Sequence, residues 1–524
     1  MGILTFLIFW PALAALVLLF LPTRHAHRAG WIAAATAAIE WIASLWLWFG
    51  FVPGSGFQFV EHAQWIPRFG VAYQLGVDGI SLLLVLLTTL LTLIGVASSF
   101  SAISASRKGY YASLLLLETG VIGAFCATDV FLFYVFWEAM LVPMYFLIGV
   151  WGGERRIYAT IKFVLYTMAG SLLMLVAIIW MYQYGARSGA GTFNLSDWYG
   201  YSIPPSTQVW LFAAFALAFA IKVPMFPFHT WLPDAHVQAP AAGSVMLAGV
   251  LLKLGTYGFF RFAVPLFPQG YAALADTIWV LAVVGIVYGA VMTLIQSDVK
   301  SLIAYSSVSH LGFVMLGLSA MNLIGASGSV LQQINHGIST GALFLLVGMI
   351  YERRHTRQID DYGGIYAVVP VFTSVFLIVA LSSIGLPGTN GFVGEFLILL
   401  GAFAVRPIFT AVATVGIVLA AGYMLWMVRR VFFGTVTRPE NEHIRDLGFR
   451  ELAVVVPLVI LIIWVGVYPR PFLDRINPDL QNWLQRVHAS GPCPCGINKT
   501  TASTLVPFDT TGAIHPASGQ DGGG

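Results

Sequence analysis

Charge is the scarcest thing in this chain. Aspartate, glutamate, lysine and arginine make up 9% of its 524 residues, hydrophobic residues make up 58%, and the mean hydropathy is +0.83. A soluble domain carries about 25% charged residues, so this balance excludes a soluble enzyme and a nucleic-acid-binding protein alike. Cysteine is nearly absent, with three in all: Cys126 in an apolar run, and Cys493 and Cys495 near the end. Three thiols frame no disulfide scaffold, and a pair two positions apart without further ligands makes a poor metal site. No glycine-rich phosphate loop stands between strand and helix, and no haem or iron–sulfur ligand spacing occurs. Any redox chemistry accompanying this chain is therefore expected on other chains. The first residues also lack the basic opening of a cleavable signal peptide. Arg24 is the first charge and follows the apolar run, which reads as a retained first helix.

What is there instead is a series of apolar runs, each near the roughly 20 residues a helix needs to cross a bilayer. About fourteen stand out, at 3–21, 30–50, 79–101, 110–127, 130–151, 161–184, 207–243, 244–264, 274–295, 301–320, 329–351, 368–402, 408–431 and 452–469. The expected fold is an all-α polytopic membrane protein. The seventh and twelfth runs are too long for one plain helix and contain breakers, Lys222-Val-Pro-Met-Phe-Pro and Gly385-Leu-Pro-Gly-Thr-Asn-Gly. Lysine and arginine test the count. With the N-terminus outside and one crossing per run, loops after odd-numbered runs hold sixteen basic residues between Arg24 and Arg450. Loops after even-numbered runs hold four, Arg68, Arg187, Arg261 and Arg406. That asymmetry is the positive-inside pattern. It predicts both termini on the non-cytoplasmic side, which is the periplasm for a bacterial inner membrane. Residues 489–524 are rich in Gly, Ser, Thr and Pro and are expected to be disordered.

Against so apolar a background, a few ionisable residues are conspicuous. Lys222 ends an apolar run and Lys253 lies within another. An ammonium at bilayer depth costs from ~3 to more than 10 kcal/mol, so such groups face a protein interior or water and serve transport. Glu138, Glu395, His310 and His336 share this placement. They also fall in register: Glu138 and His310 are 172 positions apart, Lys222 and Glu395 173. The two helix breaks follow the same offset, and Tyr166-TMAGSLLMLV is similar to His336-GISTGALFLLV. Five runs per unit is an odd number, so the two copies are expected to be inverted in the membrane. Inverted repeats with paired broken helices are the plan of ion-coupled transporters. The chain then divides into a three-helix segment (1–109), a first five-helix repeat (110–264), a second (265–433), a loop with the last span (434–488) and the tail (489–524).

Each of these residues also has a plain structural reading. Glu138 and Lys222 form a static ion pair in that view, and a buried neutral histidine with one hydrogen bond is ordinary. Lys253 has no obvious acidic mate in nearby sequence, which counts against a static pair. His229, Asp234 and His236 imitate a metal site but read better as hydrogen-bonding groups near the break. Glu40 and Glu118 are intramembrane carboxylates without repeat partners, either entries to a proton path or contacts to another chain. For Glu138 and Lys222, a carboxylate about 7 Å from an ammonium, at an effective dielectric near 20, contributes ~2.4 kcal/mol. That shifts a proton equilibrium roughly fiftyfold, enough for their approach and separation to load and release a proton.

Three stretches resemble a known family. Trp137-Glu138 followed by Leu141-Val-Pro-Met-Tyr, Pro227-Phe-His-Thr-Trp-Leu-Pro-Asp-Ala-His-Val-Gln-Ala-Pro, and Leu251-Leu-Lys-Leu-Gly-Thr-Tyr-Gly are similar to the antiporter-like membrane subunits of respiratory complex I. The likeness spans about residues 70–470 and is greatest to the M type. Lys253 stands where the L type is expected to carry histidine, and Glu395 where the L and N types are expected to carry lysine. No long lateral helix of the L type follows the last run. The resemblance implies a proton-translocating subunit of NADH:quinone oxidoreductase, with Glu138 and Lys222 as coupling pair, Lys253 as central relay and Glu395 as terminal group. His310 and His336 fit the polar axis between them. It also implies L- and N-type partner subunits, and FMN, iron–sulfur clusters, NADH and quinone bound by other chains. Two other readings compete: a subunit of a multi-chain cation/proton antiporter or membrane-bound hydrogenase, and a structural spacer. At least six ionisable groups in the interior disfavour the spacer. Sodium stays open beside the proton as the exported ion.

Overall fold

The computed structural model describes residues 2–187, 189 and 191–490. The chain opens with α1 (Ile3–Phe20) and α2 (Ala29–Gly50), then a hairpin of β1 (Gln58–Ile66) and β2 (Val71–Val77). The first half continues through α3 (Leu82–Ala102), α4 (Arg107–Cys126), α5 (Val130–Ala139), α6 (Leu141–Trp151), α7 (Arg156–Arg187), α8 (Leu195–Trp198), α9 (Pro205–Lys222) and α10 (Trp231–Gln238). Next come α11 (Ala241–Met246), α12 (Leu252–Gly258) and α13 (Val264–Leu266), which with two π-helical stretches make one span. The second half holds α14 (Pro268–Leu294), α15 (Val299–Ser319), α16 (Leu323–Arg354), α17 (Pro370–Ser383), α18 (Asn390–Phe403), α19 (Pro407–Phe432), α20 (Phe449–Val467) and α21 (Arg470–Ser490).

Among the described residues, 13 helices are long and apolar enough to cross a membrane. The shorter apolar helices α17 and α18 together occupy the twelfth expected run, the one run of the fourteen without a long span. The span Ala241–Leu266 is buried along its most apolar stretch and stands in the middle, against α3 and α16. Apolar side chains of α7 and α20 face outward, as a lipid-facing helix requires: Leu165, Leu172, Val176, Ile460 and Val467 are exposed.

The breaks have identifiable chemistry. Pro143 has no N–H to offer Ala139, and the fifth span is interrupted there, one residue past Glu138. Pro224 likewise leaves the Ala220 carbonyl free. The Met225 N–H takes it at 2.8 Å, and the Trp231 indole N–H donates to the next carbonyl, Ile221, at 2.8 Å. Between α17 and α18 the chain turns through Gly385 (φ 74°) and Gly388 (φ 90°), left-handed conformations that a side chain would strain. Asn390 binds this break to the core. It accepts from Ser382, Ser339 and Gly391, and its carbonyl accepts from Asn335 at 2.7 Å.

Two elements depart from the expectation of an all-helical chain with plain loops. The segment expected as loop 51–78 contains the antiparallel hairpin, whose Glu61 carboxylate accepts the Leu4 N–H at 2.7 Å and so caps α1. After the last span comes α21, an amphipathic helix that buries Phe472, Ile476, Leu480 and Trp483 against the bundle. Its Trp483 donates to the Phe260 carbonyl at 2.7 Å, and its Asp479 accepts the Gly79 N–H at 2.7 Å. The proposed disordered tail, with Cys493 and Cys495, lies outside the described residues apart from the end of α21.

Candidate functional site

Four of the six expected residues form a connected line through the interior. Lys253 projects from α12, and its ammonium lies 2.7 Å from Nδ1 of His336 on α16. It also donates to the carbonyl of Ala248, in the π-helical stretch Leu247–Leu251. That widened turn leaves a carbonyl available to a side chain five residues on. The His336 ring stands 5.9 Å, centre to centre, from the His310 ring on α15. Nδ1 of His310 lies 2.9 Å from Glu395 on α18, just past the twelfth-span break. All four side chains are buried.

The line has a polar lining that sequence reading missed. Gln332 donates to the same Glu395 oxygen at 3.0 Å, and Asn335 bonds both Gln332 and the Asn390 carbonyl. These amides lie on α16 at the spacing that brings i, i+3 and i+4 to one face, which was the available signal. Gln332, Asn335, Ser339, Ser382 and the two histidines surround a cavity of about 10 Å³, close to what one water's centre requires. The Nε2 atoms of His310 and His336 are buried with no partner among the described residues.

Glu138 and Lys222 stand apart from this line. Lys222 is 1% exposed, and its ammonium lies over Trp137 at 5.3 Å and over Phe163 at 5.6 Å, with no hydrogen bond. Glu138 is the charged group that acts on it electrostatically, yet the two are not an ion pair in this conformation. Glu138 is only half-buried, beside the exposed Ala139 and Val142 on the outer face of the bundle. The group around His229 is not a metal cluster. Asp234 pairs with Lys162 at 2.8 Å, and His236 stacks on Phe344 at 4.5 Å. Among the described residues no three His, Cys, Asp or Glu side chains converge on a metal position.

Comparison with known proteins decides the family. The model of a family described as "NADH:quinone oxidoreductase/Mrp antiporter, TM" matches residues 127–420. The chain is 44% identical over 501 residues to NADH-quinone oxidoreductase subunit M of Rhodobacter capsulatus, covering 93% of this chain and 97% of that one. The chain belongs to the NADH:quinone oxidoreductase/Mrp antiporter transmembrane family. It is 41% identical over 481 residues to NADH-ubiquinone oxidoreductase chain 4 of Marchantia polymorpha, covering 91% and 96%. A chain of respiratory complex I from Thermus thermophilus superposes with a TM-score of 0.85 at 32% identity, covering 92% of this chain and 99% of that one. A chain of the Mrp complex from a Dietzia species shares the fold, with a TM-score of 0.81 at 23% identity over 93% and 100%. Within this family the chain is an antiporter-like membrane subunit with buried charged residues, and the M type expected from Lys253 and Glu395 is the type its curated relatives carry.

Proposed function

We propose that this chain is the M-type subunit of an NADH:quinone oxidoreductase and carries protons along Glu138, Lys222, Lys253, His336, His310 and Glu395. The observation that carries the reading is the buried line from Lys253 to Glu395, two hydrogen-bonded pairs, Lys253–His336 and His310–Glu395, whose histidine rings stand 5.9 Å apart. A lysine, two imidazoles and a carboxylate alternate there between donor and acceptor, which is what a proton relay needs. His310 donates from Nδ1 to an ionised Glu395, or accepts from a protonated one. A water in the cavity between the histidines would complete the passage to His336. Glu138 controls entry by its distance from Lys222: its approach favours the charged lysine, and its withdrawal releases the proton inward. The redox energy comes from partner subunits, which hold the FMN, iron–sulfur clusters, NADH and quinone. The L- and N-type subunits are its membrane neighbours, and the half-exposed Glu138 suits a surface that one of them covers.

A matching cap and bridge in each half supports the expected repeat, and with it the same mechanism. Asp129 caps α5 through the Leu132 N–H at 2.9 Å and bridges to Asn194, beyond α7. Asp298 caps α15 through Lys300 and Ser301 and bridges to Gln358, beyond α16. Each half thus repeats one cap and one bridge, and His310–Glu395 is the counterpart of Glu138–Lys222. The second pair is in contact and the first is apart, as two half-sites at different stages of one cycle would be.

The test is Glu138→Gln in the native complex, with complex content, NADH-linked quinone reduction and proton movement measured in the same membranes. The expected result is normal content with proton pumping lost by tenfold or more. Normal pumping removes Glu138 from the mechanism, and loss of the complex itself favours a purely structural role for the residue. Sodium/proton exchange without NADH-linked quinone reduction would instead place the chain among the cation/proton antiporters.

A further inference from the structure

The interior holds two acids that the relay does not use. Glu40, midway along α2, and Glu118, midway along α4, are both fully buried. The packing brings them to a similar depth. Gly30 of α2 abuts Tyr111 of α4, and Ser44 of α2 bonds Thr89 of α3 at 2.9 Å. Counting one and a half ångströms per residue from those contacts sets Glu40 and Thr92 at nearly the same depth and Glu118 within about 5 Å of them. The two carboxyl groups are near enough there to act on one another.

A pair of acids alone is not a site. The second observation is that all four carboxyl oxygens are buried and make no hydrogen bond among the described residues, the Thr92 hydroxyl alone lying near Glu118. No cation answers them. The helices α1 and α3, which pack with α2 and α4, contain no Asp, Glu, Lys or Arg. Arg107 and Lys108 lie about 15 Å down α4 from Glu118 and donate to the carbonyls of Ile103 and Leu21. Lys253 is held by His336 and the Ala248 carbonyl. Two ionised carboxylates would thus be four buried acceptors with one nearby hydroxyl, Thr92, between them, an arrangement that burial makes prohibitive. A metal cation needs more oxygen ligands than two carboxyls supply, and no third His, Cys, Asp or Glu joins them among the described residues. A proton needs only the pair: it gives one carboxyl an O–H and the other the hydrogen bond it lacks.

We propose that Glu40 and Glu118 form a proton-binding site at mid-membrane, a carboxylic acid hydrogen-bonded to its partner carboxyl, outside the Lys253–Glu395 line. Binding and release are simple proton association and dissociation at one carboxyl oxygen, with the second carboxyl sharing the charge. The site stands on burial and on missing donors, so it does not depend on the relay assignment. Thr92 of α3 donates to the Met246 sulfur on the span that carries Lys253, and Tyr257 of that span donates to the Phe125 carbonyl of α4, so the helices around the acids touch that lysine's span directly.

The experiment compares native membranes carrying the full wild-type chain with the Glu40→Gln/Glu118→Gln double variant, by infrared spectroscopy in water and deuterium oxide. The expected result is a carboxylic-acid C=O stretch in the wild type that shifts in deuterium oxide and is absent from the double variant. Acid bands that all survive in the double variant overturn the proposal. If the double variant fails to assemble, peptide mapping of the wild-type complex decides. Dicyclohexylcarbodiimide, which adds to protonated carboxyls from within the bilayer, is expected to modify Glu40 or Glu118. No adduct on either, under conditions that label other membrane carboxyls of the complex, overturns the proposal.

Discussion

Lys253 shares a hydrogen bond with one histidine and donates to one carbonyl, and so it sits in series with everything beyond it. Groups in series fail together. Lys253→Ala and His336→Ala are each expected to lower proton pumping at least tenfold, and the double variant is expected to be no worse than the poorer single one. Pumping rates per assembled complex in the three variants check this, and multiplicative losses would mean parallel routes. Gly394 makes a second case. A methyl group there would meet the Gln332 amide oxygen at 2.2 Å and the Asn335 amide nitrogen at 2.8 Å. Gly394→Ala is therefore expected to push Gln332 off Glu395 and to reduce pumping with the complex still assembled. Gln332→Ala should reproduce that loss without adding a methyl group.

At the scale of elements, α21 offers a pH-dependent contact. Asp479 is raised from its ordinary 3.8 to about 6, by burial and by the neighbouring Asp78 charge, against the opposing hydrogen bond from Gly79 and the charge of Arg261. A carboxyl raised in the docked state binds its proton more tightly there. Docking is thus favoured most below pH 4 and weakens as pH rises through 6. Once corrected for intrinsic exchange rates, amide hydrogen exchange along α21 is expected to show less protection at pH 7.5 than at pH 5. Asp479→Asn should remove the difference. Trp483→Ala, which deletes a buried indole and its bond to Phe260, is expected to cost about 3–5 kcal/mol of docking and to deprotect the same amides at every pH. The interrupted helices show the opposite economy. Each carbonyl freed by Pro224 finds a donor nearby, so the seventh-span break persists without stranding polar groups in the bilayer.

For the whole molecule, the expected fourteen crossings and sixteen basic residues against four predict an orientation that can be measured directly. His62 lies exposed on the hairpin and Glu154 lies exposed before α7, on the side where the basic residues gather. A membrane-impermeant thiol reagent is expected to label His62→Cys only in right-side-out vesicles and Glu154→Cys only in inverted ones. Cys493 and Cys495 should label with His62→Cys. The reverse pattern would invert the whole topology and put Lys253's line in the opposite sense across the membrane.

Membrane class, number of crossings and the two broken spans were legible in the sequence because bilayer thickness, proline and glycine act locally, on residues adjacent in the chain. The rarity of intramembrane charge was enough to single out Lys222, Lys253, Glu138 and Glu395, since hydrocarbon tolerates few such groups without a use. The hairpin and α21 were also written locally, in the Pro-Arg-Phe-Gly turn and in the apolar spacing Phe472, Ile476, Leu480, but transmembrane length was the wrong measure for finding them. What only the tertiary structure decided was which of the rare groups meet. Lys253 and His336 are 83 residues apart and His310 and Glu395 85, so helix packing alone brings them to hydrogen-bond distance. The same packing keeps Glu138 and Lys222 out of contact. It also leaves Glu40 and Glu118 near one another without a cation. A charge's cost can be read from the composition around it, but its partner is set by packing between helices distant in the chain.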